Sequence, residues 1–307
     1  AAPVASETLT VDLAVTQGTP NYTGSGFLHG ITPTTPPASV VDPLKPRLFR
    51  CGEWAFCFEI YPRAQGLGAK MQLVLSDSFG YPQPPSTKPW PGDNGDWSAW
   101  LNTVSRVVNK AKAEGKTYQW DIWNEPDATH YFWRRSVDQL NETWRRGYLQ
   151  IRAIEPNATI VGPSPASYGP WLKNFLLYAK ANNVMPTVLS WHEFEGAKKM
   201  AVNIADIRQF MAANGINISR ISINEYVGGN EISNPGAHAA YLAAFGRAGV
   251  ESAVHSCWSV DEAGKDNCNN FSLDYVVTGT TKLPRSPWWV YKGYADITGT
   301  LVHVTPG

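Results

Sequence analysis

Tyr118-Gln119-Trp120-Asp121-Ile122-Trp123-Asn124-Glu125-Pro126 runs from a short apolar and aromatic segment straight into a carboxylate followed by proline. One hundred residues later, Ile221-Ser222-Ile223-Asn224-Glu225-Tyr226 places a second Asn-Glu pair at the end of a β-branched run. Both read as strands that deliver a glutamate at their C-terminal ends. Two carboxylates brought to one pocket from two strand ends are the minimum equipment for cleaving a glycosidic bond.

Outward from these two segments, short apolar runs alternate with longer amphipathic ones, the pattern of repeated strand-then-helix units. Eight strands are expected: Gly26 to Ile31, Arg47 to Cys51, Lys70 to Leu75, Tyr118 to Trp123, Thr159 to Gly162, Val188 to His192, Ile221 to Asn224 and Ser252 to Trp258. Each is short and mostly apolar, as a strand covered on both faces should be. Eight such units predict an α/β fold of the (β/α)8 TIM-barrel kind, as a single domain over 1–307.

Helices are expected between the strands. Trp97 to Glu114 carries apolar residues at spacings of three and four and ends at Gly115; Ser136 to Ile154 has Pro156 just past its end. Further helices are expected at Pro170 to Asn182, Asn203 to Ala213, Pro235 to Arg247 and Pro287 to Tyr294. Three of these open with Pro, which suits a first turn. Thr32 to Pro46 and Ser76 to Asp96 read as long loops, or for the first a degenerate helix, on the face that bears the site, with Trp90 and Trp97 near a groove. Thr8 to Val15 and Gly299 to Val304 are expected to pair as a small accessory sheet, and the chain stops while still reading as a strand, so a C-terminal segment is expected to be missing.

Composition narrows the function class. The 26 basic and 26 acidic residues cancel, with no block of one sign, so nothing draws the chain to nucleic acid or an anionic membrane. No stretch approaches the roughly 18 apolar residues of a spanning helix. Thirteen Trp, thirteen Tyr and eleven Phe are more than a core needs, and the remainder suit a groove that stacks on sugar rings. The N-terminus, Ala1-Ala2-Pro3-Val4-Ala5, reads as a processed end, and Asn-x-Ser/Thr sequons at Asn21, Asn141, Asn157, Asn217 and Asn270 point to a secreted, extracellular glycoprotein. Four cysteines allow three pairings; proximity favours Cys51 with Cys57 and Cys257 with Cys268, against the alternative of buried thiols.

The Asn124-Glu125-Pro126 that closes the fourth strand and the Asn224-Glu225-Tyr226 that closes the seventh resemble the signature of clan A retaining glycoside hydrolases, nearest to family 39 and of a fungal, secreted type. The resemblance implies that Glu125 is the acid/base and Glu225 the nucleophile. It further implies that Arg50 sits near the nucleophile, that Asn124 bonds the sugar 2-hydroxyl, that His192 lies beside the reaction centre, and that Trp258 floors the sugar subsite. Tyr226 is expected to donate a further hydrogen bond. The surroundings Trp191-His192-Glu193-Phe194 and Asn224-Glu225-Tyr226 depart from the family's xylosidases and iduronidases, which bears on substrate more than on mechanism.

The chemistry fits the assignment. With Glu225 ionised, its charge keeps Glu125 protonated until the nucleophile's charge is consumed, and Glu125 then serves as base for water. Glu193, Glu195, Glu53 and Glu59 compete for the nucleophile's role, His192 could be a core histidine, and Trp258 could simply pack. Asp127, Tyr131, Trp133, Tyr168, Trp90 and Asn230 are further candidates for sugar contacts. No metal site is expected from six scattered His, although Asp261-Glu262 with Asp266 and Asn267 could hold calcium; no nucleotide loop or Gly-x-Ser-x-Gly occurs. The expectation is a cofactor-free, monomeric hydrolase of a β-linked oligo- or polysaccharide, cut internally. A carbohydrate-binding protein without turnover and a transglycosylase are the alternatives.

Overall fold

The computed structural model describes residues 8–80, 88–129, 131–258, 268 and 270–305. Strand β1 (Thr10–Thr16) stands apart from the rest. Strands β2 (Gly26–Leu28), β3 (Leu48–Cys51), β4 (Lys70–Val74), β5 (Gln119–Asp121), β6 (Thr159–Pro163), β7 (Val188–Glu193), β8 (Ile221–Tyr226) and β9 (Ser252–His255) pair in chain order. All are parallel, and β9 returns to β2 to close an eight-stranded barrel. Strand β10 (Val302–Thr305) pairs antiparallel with β1 as a separate two-stranded sheet. The architecture is therefore a (β/α)8 barrel with an accessory sheet made by the ends of the chain.

Helices α1 (Ala38–Val41), α2 (Tyr61–Gly66), α3 (Leu75–Gly80), α4 (Ser98–Ala113), α5 (Val137–Ile154), α6 (Pro170–Ala181), α7 (Ala197–Ala213), α8 (Pro235–Ala248) and α9 (Ser286–Asp296) surround the strands. Local chemistry explains their bounds. In α4 the buried residues Trp100, Val104, Val107, Val108 and Ala111 form one stripe. Ser136 caps α5 by accepting from Gln139 N, and Asn234 caps α8, whose Pro235 occupies the first turn. Helix α7 starts earlier than its expected opening at Asn203: Met200 continues the buried stripe of Asn203, Ile204, Ile207 and Met211 backwards, whereas Lys198 and Lys199 mask it in the sequence.

The two expected loops are only partly irregular. Thr32 to Pro46 contains α1 and a 3-10 turn at Asp42–Leu44, anchored by buried Val41 and Leu44. Ser76 to Asp96 begins inside α3 and ends in another 3-10 turn at Asp93–Gly95, while residues 81–87 lie outside the described residues. Trp90 and Trp97 do not line the cavity at the catalytic end of the barrel. Trp90 packs on Trp123 and Trp133 with ring centroids 6.2 and 5.3 Å away, and Trp97 carries the Arg146 guanidinium over its ring at 4.3 Å. Trp90 belongs to an aromatic wall that also includes Trp123, Trp133, Trp100 and Phe79.

Cys51 bonds Cys57 and Cys257 bonds Cys268, so each disulfide closes a short loop directly after a barrel strand. Among the described residues no helix is long and apolar enough to cross a membrane.

Candidate active site

The interior of the barrel is polar along one seam, and Arg50 is its hub. This residue of β3 is 1% exposed. Its Nε donates to Asp121 Oδ2 at 2.9 Å, its Nη1 to Glu225 Oε1 at 2.7 Å and its Nη2 to Asn124 Oδ1 at 2.7 Å. Beneath it, Asn224 Nδ2 donates to Asp121 Oδ2 (3.0 Å) and Ser164 Oγ (2.8 Å), while Ser164 Oγ donates to Asp121 Oδ1 at 2.9 Å. A buried guanidinium so enclosed stays charged: Asp121 and Glu225 hold it up against the cost of burial.

Two local departures from regular strand geometry put the glutamates at the mouth. The register of β8 shifts against both neighbours, between Trp191 and His192 on one side and between Ile223 and Tyr226 on the other. Such a bulge lets consecutive residues break the inward-outward alternation, so Asn224 and Glu225 both turn toward Arg50. Glu125 itself has φ 46°, and Ser164, Val227 and His29, also just past barrel strands, have φ of 58°, 75° and 61°. Positive φ is costly for side chains other than glycine, most of all for a β-branched valine. Val227 is held there by bonds to its carbonyl from Ser256 Oγ (2.7 Å) and Trp258 Nε1 (3.1 Å), and Glu125 N donates to Ser164 O at 2.9 Å.

His192 lies between the two glutamates and is hydrogen-bonded to Glu125. Its Nδ1 lies 3.0 Å from Glu125 Oε1 and its Nε2 3.7 Å from Glu225 Oε1. One ligand atom from each of Glu125, His192 and Glu225 lies within 4.8 Å of the others. That spacing could hold a cation, but Arg50 already supplies positive charge at 2.7 Å from Glu225. Burial lowers the His192 pKa to about 4, so the ring is neutral at ordinary pH. Burial raises Glu125 to about 7, with only the charge of Arg50 opposing it. Burial also raises Glu225, and the Arg50 guanidinium in direct contact with it opposes that rise. Of the pair, Glu225 is the one in contact with the Arg50 guanidinium, which favours its ionised form, while burial favours the protonated form of Glu125.

Above these groups lies a cavity of about 290 Å³, lined by Arg50, Asn124, Glu125, Glu225 and Trp258 together with Leu28, His29, Val74, Asp77, Tyr131, Phe132, Phe194 and the Cys257–Cys268 disulfide. Of the residues expected from the sequence, Glu125, Glu225, Arg50, Asn124, His192 and Trp258 are brought together here. Trp258 meets Phe194 edge to face at 5.0 Å on the cavity wall.

Tyr226 is a correction. It is fully buried on the outer side of β8, where its hydroxyl donates to Gly24 O at 2.7 Å and lies 2.7 Å from Tyr291 Oη. The bulge accounts for this, since turning Glu225 inward turns the next residue outward. Glu193 also faces away, with Trp191 Nε1 and Asn203 Nδ2 donating to its carboxylate, and Glu53 is paired with Arg106. Among the further candidates only Tyr131 lines the cavity. Asp127 accepts from Ala166 N, Trp133 is buried, Tyr168 bonds Asp206, and Asn230 is exposed. Asp261, Glu262, Asp266 and Asn267 lie outside the described residues.

Sequence reasoning missed Asp121, Ser164, His29 and Asp77. For Asp121 a signal existed, because Gln119 and Asp121 alternate with Trp120 and Ile122, placing polar groups at a period of two inside an apolar strand.

Comparison with known proteins agrees with this geometry. Residues 91–225 match the model of glycosyl hydrolases family 39. The chain is 28% identical to a protein called N2152 from Neocallimastix frontalis, with TM-score 0.82 over 98% of this chain and 74% of that one. It superposes on a monomeric β-xylosidase from Caulobacter crescentus with TM-score 0.73 at 14% identity, covering 98% of this chain and 73% of that one. Among curated proteins it is 23% identical over 237 residues to a 3-O-α-D-galactosyl-α-L-arabinofuranosidase of Bifidobacterium longum subsp. longum, a match to 68% of this chain and 20% of the relative. A 3-O-β-L-arabinopyranosyl-α-L-arabinofuranosidase of Bifidobacterium pseudocatenulatum matches at 22% over 68% of this chain and 23% of its own length. The chain thus spans between a fifth and a quarter of the length of the curated relatives it matches. With the closed barrel and its clustered carboxylates, these likenesses give the chain a family-39-like clan A glycoside hydrolase fold.

Proposed function

We propose that the protein is a retaining glycoside hydrolase that cuts a β-linked glycan internally by double displacement, with Glu125 as acid/base and Glu225 as nucleophile. The observation that carries this reading is the carboxylate pair: oxygens of Glu125 and Glu225 lie within 4.8 Å of each other at the mouth of one cavity. Retaining enzymes hold their two carboxyls roughly 5–5.5 Å apart, while inverting ones need the wider gap that admits a water.

In the first step Glu225 attacks the anomeric carbon as the bond to the leaving oxygen breaks and Glu125 donates its proton to that oxygen. The charge of Glu225 is consumed in the glycosyl ester, which lets Glu125 ionise and take a proton from water. The water oxygen then bonds the anomeric carbon and the ester bond breaks. Arg50 keeps Glu225 ionised and oriented. Because Asn124 Oδ1 is engaged by Arg50, its amide N–H₂ is left to donate to the sugar 2-hydroxyl. Neutral His192 with its proton on Nε2 accepts from protonated Glu125 at Nδ1 and faces Glu225 with an N–H, matching the charge state in which the first step begins.

Secretion is part of the same proposal. Two disulfides suit an oxidising compartment, and of the sequons Asn21, Asn157 and Asn217 are exposed, whereas Asn141 and Asn270 are half-buried with enclosed Oδ1 atoms. The experiment is product release from plant, fungal and bacterial polysaccharides and aryl glycosides, arabinofuranosides included, comparing the parent with Glu125→Gln and Glu225→Gln. Release from the polysaccharides that both changes abolish or severely reduce is the expected result. Binding without release in the parent, unchanged in Glu125→Gln, would turn the reading into a carbohydrate-binding protein; transfer of sugar to added acceptors in place of water would turn it into a transglycosylase.

A further inference from the structure

Strand β2 ends in a tight turn that puts one side chain on the cavity wall, and a buried carboxyl from far along the chain grips that turn on both sides. Gly30 N donates to Leu28 O at 2.7 Å, closing a three-residue turn, and His29 at its centre has φ 61°. A turn of this length with positive φ at its middle is the rare and strained form. Three further bonds hold it. His29 N donates to Arg50 O at 2.9 Å, Leu28 N donates to Asp274 Oδ2 at 2.8 Å, and the Gly30 N–H also bonds the Asp274 carboxyl.

Bringing Asp274 there is costly. Phe271, Leu273, Asp274 and Tyr275 have φ of 52°, 51°, 55° and 77°. Side chains other than glycine adopt this conformation singly, not in runs. The segment is docked on the end of β2: Leu273 N donates to Gly30 O at 3.1 Å, and a Cβ on Gly30 would meet Leu273 Cα at 3.2 Å, so glycine lets the two backbones approach. Asp274 is fully buried, and among the described residues no hydrogen bond reaches its Oδ1. An apolar side chain would fill the core at less cost. What the carboxyl adds is its grip on the two peptide groups that flank His29.

The His29 ring lines the cavity with Glu125 and Glu225, is 7% exposed, and its Nδ1 has no hydrogen-bond partner among the described residues. Burial lowers its pKa to about 3, so the imidazole is neutral, with one donor and one acceptor, the complement of a hydroxyl.

We infer that Asp274 is a positioning residue, which holds the turn at 28–30 so that the His29 ring stands ready to hydrogen-bond a hydroxyl of the bound glycan. This inference rests on the hydrolase reading and adds to it a residue that acts on binding without touching the substrate. A ring held in advance loses no rotamer freedom when the ligand arrives; with the carboxyl gone, the positive φ of His29 relaxes and the ring leaves its place. Burial pushes the Asp274 carboxyl well above the ordinary range, so it keeps a proton. Asparagine, with the same shape and an oxygen for the Leu28 N–H, is therefore the conservative replacement.

The test is steady-state kinetics of the full chain on 4-nitrophenyl β-xyloside, β-glucoside and α-arabinofuranoside and on xylan, with whichever of these the parent turns over. Asp274→Ala should raise KM about tenfold with kcat within about threefold of the parent, and Asp274→Asn should restore most of the loss. His29→Ala should raise KM by a similar factor, and Asp274→Ala combined with His29→Ala should be no worse than His29→Ala alone, because the first acts through the second. Gly30→Ala displaces the segment by contact with Leu273 and should raise KM in the same way; it carries the test should Asp274→Ala not fold. A KM equal to the parent's in Asp274→Ala, or in Gly30→Ala standing in for it, would overturn the inference, as would losses that multiply in the double variant. Either result comes with an active parent and leaves the hydrolase reading intact, whereas no turnover of these substrates or of the wider polysaccharide panel by the parent would overturn both.

Discussion

Strand β8 carries a buried polar cluster on each of its faces, and the two are built on opposite rules. On the inner face Asn224 and Glu225 join Arg50 and Asp121, one cation shared between two carboxylates in a cluster that opens onto a cavity. On the outer face Tyr226 joins Tyr291, His238 and His255 in a sealed cluster of neutral groups, with Tyr291 Oη 2.7 Å from Tyr226 Oη and 3.3 Å from His238 Nδ1. Burial drives the His238 pKa down to about 4, so this side has no charge to arrange. Equal burial therefore does not mean equal use. Charges retained inside a fold need a compensating partner and a reason, and here only the inner cluster has both.

The sharpest break in that comparison comes from the inner face. Glu225→Gln should lower kcat by roughly 10⁴-fold or more, and Glu125→Gln by about 10²–10⁴-fold, with the smaller loss on aryl glycosides whose leaving groups need no proton. Steady-state kinetics on both substrate types checks this, and equal activity of either variant with the parent on a natural glycan would remove that residue from the mechanism.

Arg50→Met leaves Asp121 and Glu225 buried without their cation. Denaturant unfolding should show a loss of about 3–5 kcal/mol, and any residual activity should have its acidic limb moved to higher pH, because Glu225 then ionises less readily. An unmoved acidic limb would mean that Arg50 does not hold the nucleophile's charge.

The third test reads pH and has opposite signs for Glu125 and for the buried histidines of the two clusters. Glu125 is raised from 4.5 to about 7 in the folded protein, so the native state binds the extra proton and stability falls as pH rises through that window. Glu125→Gln should flatten this fall by at most about 3 kcal/mol between pH 4.5 and 8. His238, lowered from 6.5 to about 4, costs stability as pH falls through its own window, in company with His192, whose value is also about 4. Thermal melts across pH compare the slopes. The same Glu125 value predicts that activity declines as pH rises past about 7, where the acid has lost its proton.

The smallest effect belongs to the outer face. Tyr226→Phe removes the hydroxyl that Gly24 O accepts from and that Tyr291 meets, which should cost about 1–3 kcal/mol of stability and leave kcat and KM as they are. A fall in kcat with stability unchanged would return Tyr226 to the reaction centre.

The same strand shows what a sequence can and cannot reveal. Strand positions were legible because β8, like its neighbours, is a short apolar run with both faces covered, and Asn-Glu at two strand ends marked the carboxylates. The orientation of Tyr226 was not legible. Strict alternation would put Ile223 and Glu225 on one face and Asn224 with Tyr226 on the other, and only the register shifts against β7 and β9 let Asn224 and Glu225 share the inner side. A bulge belongs to the pairing of strands, not to the string of residues in one of them. Trp90 and Trp97 were misplaced for a related reason, since an aromatic in a long loop looks the same whether it lines a groove or packs on Trp123 or under Arg146. His29 and Asp77 reach the cavity through the ends of β2 and β4, where single polar residues carry no signal above an ordinary loop.

The most direct measurement is mass spectrometry of the protein after reaction with an activated 2-deoxy-2-fluoro glycoside of whichever sugar the parent enzyme releases. A single sugar attached to the peptide that carries Glu225, formed with loss of activity and absent from Glu225→Gln, is the predicted result. Turnover of the natural glycan without any such adduct and with an inverted first product, or an adduct on Glu125, would contradict the assignment of the pair.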